Sequence, residues 1–403
     1  MNLDKRSLYR LPWNMNDNPI AWLEITDICN LKCEGCYRTT LTKHKPLEQI
    51  KEELRFFKQW RNPDNVSIAG GEPLLHPDIC EIVAYIKELE MKPIILTNAE
   101  KLTPEFLKEL KRAGLAGFTI HIDSHQNRPG WTGKNEAEHN ELRQKYADMI
   151  HAEGGLYTIF NCTVYPSTYD EIPDILRWGQ ENILKVQGLV FITYRTASTD
   201  TYAALDVNSR EVELAQLSYS SESFDEHFVT SPEVYAKIKT ISPVYEPSGY
   251  LGGTQRHDSI KWLVAAMIGS RHQMYGSVGK KTMEFAQTGH HFFNGTYLAY
   301  LTNAAGRVAF LAWIFDPQVR KALGKRLVDF LAHPWRIFEP IRLQSVGIIQ
   351  APDVQVTGQA DMCDSCPDMT VWDGKLINSC RMDEYRMFGG LVTVVDKSKL
   401  EQD

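Results

Sequence analysis

The chain has 403 residues, of which 43% are apolar and 24% charged; this is enough to bury two or three cores and excludes a wholly disordered or fibrous protein. A formal net charge of -7 excludes a general nucleic-acid binder, since a basic face is needed to answer phosphate. Met1 to Arg10 hold no apolar run of secretory type, so a cytosolic chain is expected.

After an N-terminal extension, residues 1–20, short β-branched runs alternate with amphipathic stretches over residues 21–196, the pattern of a parallel sheet under covering helices. Strands are expected at Trp22–Ile28, Val66–Ala69, Pro93–Thr97, Phe118–Asp123, Tyr157–Tyr165 and Gly188–Tyr194. Helices are expected at Leu47–Trp60, Pro77–Glu90, Pro104–Ala113, Glu136–Glu153 and Ile172–Glu181. In the fourth strand Phe118, Ile120 and Ile122 alternate with Thr119, His121 and Asp123, and in the fifth Asn161 and Thr163 share a face. A parallel strand covered on both sides is apolar on both faces, so a polar face points to a lumen, as in a partial (β/α)6 barrel.

Residues 197–345 form a linker or lid followed by a mostly helical region. Thr196–Asn208 and Ser218–Glu226 are small and polar, as connections are, whereas Trp262–Ser270, Tyr297–Phe315 and Pro317–Ala332 read as helices. Thr302, Asn303 and Arg307 interrupt Tyr297–Phe315, which favours a buried helix over a membrane span. Pro317–Ala332 carries Val319, Leu323, Leu327, Phe330 and Leu331 on one stripe and Arg320, Lys321, Lys325 and Arg326 elsewhere. Such a helix packs its stripe on a core or lies on an anionic membrane surface.

Six of the eight cysteines fall in two groups, Cys29/Cys33/Cys36 and Cys363/Cys366/Cys380, which in a reducing compartment points to metal. Cys80 and Cys162 read as small buried residues. The first group has C-x3-C-x2-C spacing just after the first strand. Three thiolates on one loop hold three irons of a [4Fe-4S] cluster and leave the fourth open; a zinc site would need a fourth ligand, for which His44 is the distant candidate. Val66 to Pro73 ends the second strand in Gly70-Gly71-Glu72-Pro73, and Thr97-Asn98 ends the third.

These motifs, in this order, resemble the radical S-adenosylmethionine (radical SAM) superfamily over residues 20–196. The resemblance implies that Cys29, Cys33 and Cys36 ligate a [4Fe-4S] cluster whose open iron chelates the amino and carboxylate groups of SAM. One electron, from a reductant such as a flavodoxin or ferredoxin, then yields methionine and a 5'-deoxyadenosyl radical that takes hydrogen from a substrate C–H bond. It further implies that Gly70, Gly71 and Glu72 hold the SAM amino group, and that Thr97 and Asn98 meet the ribose or methionine. Asp123, Ser124 and Asn161 would face the same lumen, and His121 is read as a lumen histidine rather than a catalyst. Gly35 stands where many members carry an aromatic residue near the adenine, and Tyr37 follows the third cysteine.

Residues 346–403 contain C-x2-C-x13-C with an Asp373-Gly374 turn between two strand-like pieces, a hairpin returning a third cysteine to a knuckle. It resembles the auxiliary iron-sulfur modules of the same superfamily and implies a second [4Fe-4S] cluster on Cys363, Cys366 and Cys380, with water, substrate, Asp361, Asp364 or Asp368 as fourth ligand. Zinc is the alternative. The fold expected is therefore α/β: a partial barrel of the radical SAM type, a mainly helical middle region and a small iron-sulfur module. The expected function is hydrogen abstraction from an unactivated C–H bond of a lipid or isoprenoid chain, with peripheral contact to the cytosolic face of a membrane. The alternatives are maturation of a peptide or small metabolite, and a non-catalytic iron-sulfur electron carrier or zinc scaffold. With 28 residues ahead of Cys29, cobalamin-dependent methylation is not expected.

Overall fold

The structure, a computed structural model, describes residues 3–39, 41–194, 203–208, 210–212, 229–300, 315–354 and 360–396. Ser218–Glu226, most of Thr196–Asn208 and residues 301–314 of the expected helix Tyr297–Phe315 lie outside the described residues.

A short strand β1 (Tyr9–Arg10) precedes six parallel strands: β2 (Ile20–Thr26), β3 (Asn65–Gly70), β4 (Lys92–Thr97), β5 (Gly117–His121), β6 (Tyr157–Val164) and β7 (Gly188–Thr193). Between them run α1 (Leu47–Trp60), α2 (Ile79–Glu88), α3 (Pro104–Arg112), α4 (Glu136–Glu153) and α5 (Ile172–Glu181). Local chemistry sets their ends. Thr103 caps α3 by accepting from the Phe106 N–H at 3.2 Å, with Pro104 in the first turn. Asn135 and Glu138 form a reciprocal capping box on α4, which stops at Gly154, where φ is +71°.

One face of the strands, with Leu23, Ile25, Val66, Ile68, Phe118, Ile120, Phe160 and Phe191, packs under the helices as the main core. The register places Trp22 beside Ser67, His121 beside Asn161 and Thr163 beside Ile192 on the other face, which is the lumen. After β7 come β8 (Ala203–Val207), β9 (Arg210–Glu211), α6 (Ser231–Ile241), β10 (Gly249–Gly252), β11 (Ile260–Gly269) and β12 (Met274–Ser277). Then follow α7 (Lys280–Asn294), α8 (Pro317–Ala332) and β13 (Arg342–Gln350). β13 lies parallel to β7, β11 antiparallel to β13, and β10 and β1 complete the sheet, which stays open between β1 and β2 among the described residues.

Three expectations change here. Trp262–Ser270 is not a helix, because its unbroken apolar run belongs to β11, a strand buried inside the sheet; periodicity cannot separate these two cases. The boundary expected at 345/346 falls inside β13, which returns to the core sheet. Along α8 the buried residues are Val319, Ala322 and Asp329, whereas Leu327 and Leu331 of the expected packing stripe are exposed.

The C-terminal part holds β14 (Asp353–Val354), β15 (Ala360–Asp361) and a hairpin of β16 (Met369–Trp372) and β17 (Lys375–Asn378) turning at Asp373-Gly374. α9 (Met382–Phe388) and β18 (Thr393–Asp396) follow, the latter pairing with β8. Half-buried Tyr300 places its hydroxyl among Asn65, Ser67 and Thr119, with its ring 5.2 Å from that of Tyr157, and desolvation of that hydroxyl pushes it up to about 12.

Candidate active site at the cysteine loops

β2 stops at Thr26, and the next loop carries Cys29, Cys33 and Cys36, each half-buried and none in a disulfide. The Gly71 N–H donates to the Thr26 carbonyl and the Glu72 N–H to that of Ile28, both at 2.8 Å. A Cβ on Gly70, where φ is +130°, would stand 2.3 Å from the Thr26 oxygen, and one on Gly71 2.3 Å from the Ile28 oxygen. The close approach that these glycines permit is thus made by the cysteine loop itself.

Burial raises all three thiols above their ordinary range, Cys36 to about 11. Asp123 and the neighbouring sulfurs push Cys33 up further. The Leu31 N–H points at the Cys29 Sγ at 3.5 Å and the Arg38 N–H at the Cys36 Sγ at 3.4 Å. Three mutually close thiols held protonated by burial and by one another suit a cationic group that displaces their protons. His44 is engaged elsewhere: its Nδ1 lies 2.9 Å from the Thr26 hydroxyl and its ring packs edge-on against His76.

Gly35 has no room for a side chain, since a Cβ would stand 2.5 Å from the Tyr165 hydroxyl. That hydroxyl accepts from the Gly35 N–H at 2.9 Å. The Tyr165 ring stacks on His125 with centroids 3.9 Å apart and lies 4.7 Å from that of Tyr194. The aromatic surface at this point comes from the ends of β6 and β7, a contribution that sequence reading missed.

Glu72 is buried and braced. Its Oε1 accepts from the Leu74 N–H at 3.0 Å and the Thr97 hydroxyl at 2.6 Å, and its Oε2 from the Asn98 N–H at 2.8 Å. Burial raises the carboxyl, and these donors oppose the rise. The Asn98 Nδ2 reaches Asn30 of the cysteine loop at 2.9 Å. Asp123, also buried, accepts from the His121 ring at 2.8 Å and the His125 N–H at 2.9 Å. Burial alone would raise its pKa, but the His121 hydrogen bond and charge, with His125, hold the pKa below the ordinary carboxylate value. Ser124 donates its N–H to Glu136 at 2.6 Å, with its hydroxyl 3.1 Å from the His125 ring.

Two groups here lack partners. The Asn161 Oδ1 is buried without one among the described residues. Arg128, 3% exposed, donates through Nη2 to the Asn98 carbonyl and to Gln126, both at 2.9 Å, while its Nε and Nη1 have no partner among the described residues. Arg128 lies within electrostatic reach of Cys33 and Glu72. A buried guanidinium with two open donors fits an anionic group such as a carboxylate. Sequence reading passed it over; its place after the His121–Gln126 strand end was the only signal.

In the second group, Cys363 shares a hydrogen bond with Cys366, and that contact with burial raises its thiol. Of the candidate fourth ligands, Asp361 is paired with Lys261 at 3.3 Å and accepts from the Gln255 N–H, and Asp364 is paired with Arg10 at 2.6 Å. Asp368 accepts no side-chain hydrogen bond among the described residues, and burial, opposed by Arg61, pushes it up to about 7. Among the described residues no three His, Cys, Asp or Glu side chains are gathered as around a single metal ion. Cys162 is buried as expected, and Cys80 is half-buried.

The two cysteine groups are tied by buried charge. Arg38 donates to Glu24 at 3.1 Å and to Asp383 of α9 at 2.8 Å, all three side chains being under 5% exposed. Trp22 and Tyr37 also donate to Glu24. Arg61 donates to the carbonyls of Ile20, Met15, Cys366 and Pro367. A surface hollow of about 720 Å³ is lined by α3 and α4 residues alone, none of them in these loops.

Residues 23–179 match the family described as the radical SAM superfamily. The chain is 32% identical over 130 residues to an AdoMet-dependent heme synthase of Methanosarcina barkeri, covering 29% of this chain and 36% of that one. It is 34% identical over 228 residues to a GTP 3',8-cyclase of Alkaliphilus oremlandii, covering 55% and 64%. It therefore spans less than two thirds of either relative. Among solved structures it is similar to Streptococcus suis SuiB bound to S-adenosylmethionine, with 17% identity, a TM-score of 0.40 and coverage of 56% of this chain and 47% of that one.

Proposed function

Residues 23–179 form a radical SAM domain, a family that binds a [4Fe-4S] cluster and SAM, and on that premise we propose that this chain is a radical SAM enzyme. The observation that carries the reading is the meeting of three half-buried thiols with a buried carboxylate and a half-satisfied guanidinium at one edge of the sheet. Cys29, Cys33 and Cys36 hold the cluster; Arg128 receives the SAM carboxylate through its open Nε and Nη1. Glu72, with one lone-pair site on Oε2 left by its three protein donors, receives the amino group. Thr97 and Asn98 fix Glu72 in place, and Asn161 offers its open Oδ1 to the ligand. When bound and reduced, the cluster supplies the electron that splits SAM into methionine and a 5'-deoxyadenosyl radical. The residues around it keep water out and hold the substrate carbon beside that radical.

Cys363, Cys366 and Cys380 hold a second [4Fe-4S] cluster, with Asp368 the best placed of the three aspartates to fill a fourth position, since the other two are already paired. The substrate is a small polar metabolite or peptide segment, because the lumen presents His121, Asn161 and Thr163. A lipid or isoprenoid chain is the second reading, favoured by the exposed apolar row along α8.

The test is SAM cleavage to 5'-deoxyadenosine by the anaerobically reconstituted, reduced protein. Replacing Cys29, Cys33 and Cys36 together by Ala abolishes cleavage and leaves a C-terminal cluster signal in electron paramagnetic resonance. Cleavage unchanged in that variant would sink the reading in favour of an electron carrier or scaffold. Iron approaches about eight per chain if both sites hold four-iron clusters; saturation at about four, with zinc in the second site, removes the second cluster.

A further inference from the structure

α8 and the turn after it are built inside out. Between Phe315 and Phe338 the only carboxylates are Asp316 and Asp329, and both are buried. Asp329 is held by four donors: the Tyr275 hydroxyl at 2.7 Å, Arg326 at 3.0 Å, Arg336 at 2.7 Å and the His333 ring at 3.2 Å. This clamp folds the 3-10 turn Pro334–Phe338 back on the helix end. Leu327, Val328 and Leu331 face outward, and Trp335, Ile337 and Phe338 continue the row, with Trp335 70% and Phe338 91% exposed. Beside this face, in the N-terminal half of the helix, Lys321 and Lys325 line a hollow shared with Glu246.

Six large apolar side chains exposed within twelve residues exceed the scattered apolar surface of an ordinary soluble face. We propose that this strip docks on an anionic lipid surface, its apolar row entering the headgroup boundary and its bases meeting lipid phosphates. Charge selects this occupant. A second copy related by a twofold axis would bring Lys321 and Lys325 face to face with their copies; both carboxylates of residues 315–338 are buried, and Glu246 beside the lysines is already paired with Lys239. No helix among the described residues is long and apolar enough to cross a membrane, so the contact is one of lying on the surface. The inference stands apart from the cluster chemistry, since none of these residues lies in the cysteine loops.

The experiment is flotation of the full chain with phosphatidylcholine vesicles, pure or containing roughly one third phosphatidylglycerol. The protein floats with the anionic vesicles alone. Changing Lys321 and Lys325 to Ala lowers that partition about 30-fold, and W335S/F338S abolishes it, while both variants keep the wild-type melting temperature and SAM cleavage in solution. Absence of flotation with either vesicle overturns the proposal, as does equal flotation with both. A concentration-dependent dimer in sedimentation that W335S/F338S dissolves overturns it too, assigning the strip to a second copy. SAM cleavage is read separately, so its loss leaves the docking result standing.

Discussion

Asp123 is a carboxylate that its neighbours make more acidic in spite of burial, through the His121 ring and the His125 N–H. Its folded-state value lies below the ordinary one, so the stability it adds is complete above about pH 4 and is lost as the pH falls through that lower value. D123N is therefore less stable than wild type by about 1–3 kcal/mol at pH 7, and the gap closes in acid; urea midpoints of metal-free protein from pH 7 to pH 3 check this. A gap constant across that range would show that the side chain acts by shape alone. Among the site residues, the cysteines and Glu72 were legible because their chemistry lies in local spacing. Arg128 and Tyr165 were not, because what marks them is an unpaired buried donor and a hydroxyl on the Gly35 N–H, and both arise only when strands distant in sequence come together.

At the scale of elements, the strand-to-loop junction depends on two glycines pressed against a neighbouring main chain. G71A places a methyl group 2.3 Å from the Ile28 carbonyl oxygen, where backbone must give way, and costs about 2 kcal/mol or more. The measurable result is a lower melting temperature together with faster alkylation of Cys29 in metal-free protein; wild-type alkylation would mean the loop does not lean on Gly71. Elements whose signal is periodic were read with their boundaries, α1, α4 and α5 among them. β11 was misread because an unbroken apolar run has no period to show. α8 was read with its stripe turned, because the Asp329 clamp, which needs Tyr275 and Arg336, buries a charge where pattern alone puts leucines.

Across the whole molecule, the barrel strands and the C-terminal cysteine hairpin share one buried ion network through Arg38. D383N removes one of the two close buried carboxylates of Arg38 and leaves Glu24 in place, so it destabilises the protein by roughly 1–3 kcal/mol. Because Arg38 sits two residues past Cys36, the same variant alters the spectrum of the N-terminal cluster without touching a cysteine. A lowered urea midpoint with an unchanged N-terminal spectrum would confine the network to stability. The six-strand core was legible in the sequence, but its extension by β13, β11 and β10 was not, because pairing across such separations leaves no mark in any local window.

The same ion pair sets an order of events during synthesis. Arg38 and Asp383 are 345 residues apart, and at about 5–20 residues per second the ribosome takes roughly 20–70 s to deliver the second after the first. For that interval the nascent cysteine loop lacks the partner that fixes its third thiol. On the proposed reading, iron that binds before Asp383 has been made meets a loop in which Arg38 has Glu24 alone as its buried partner.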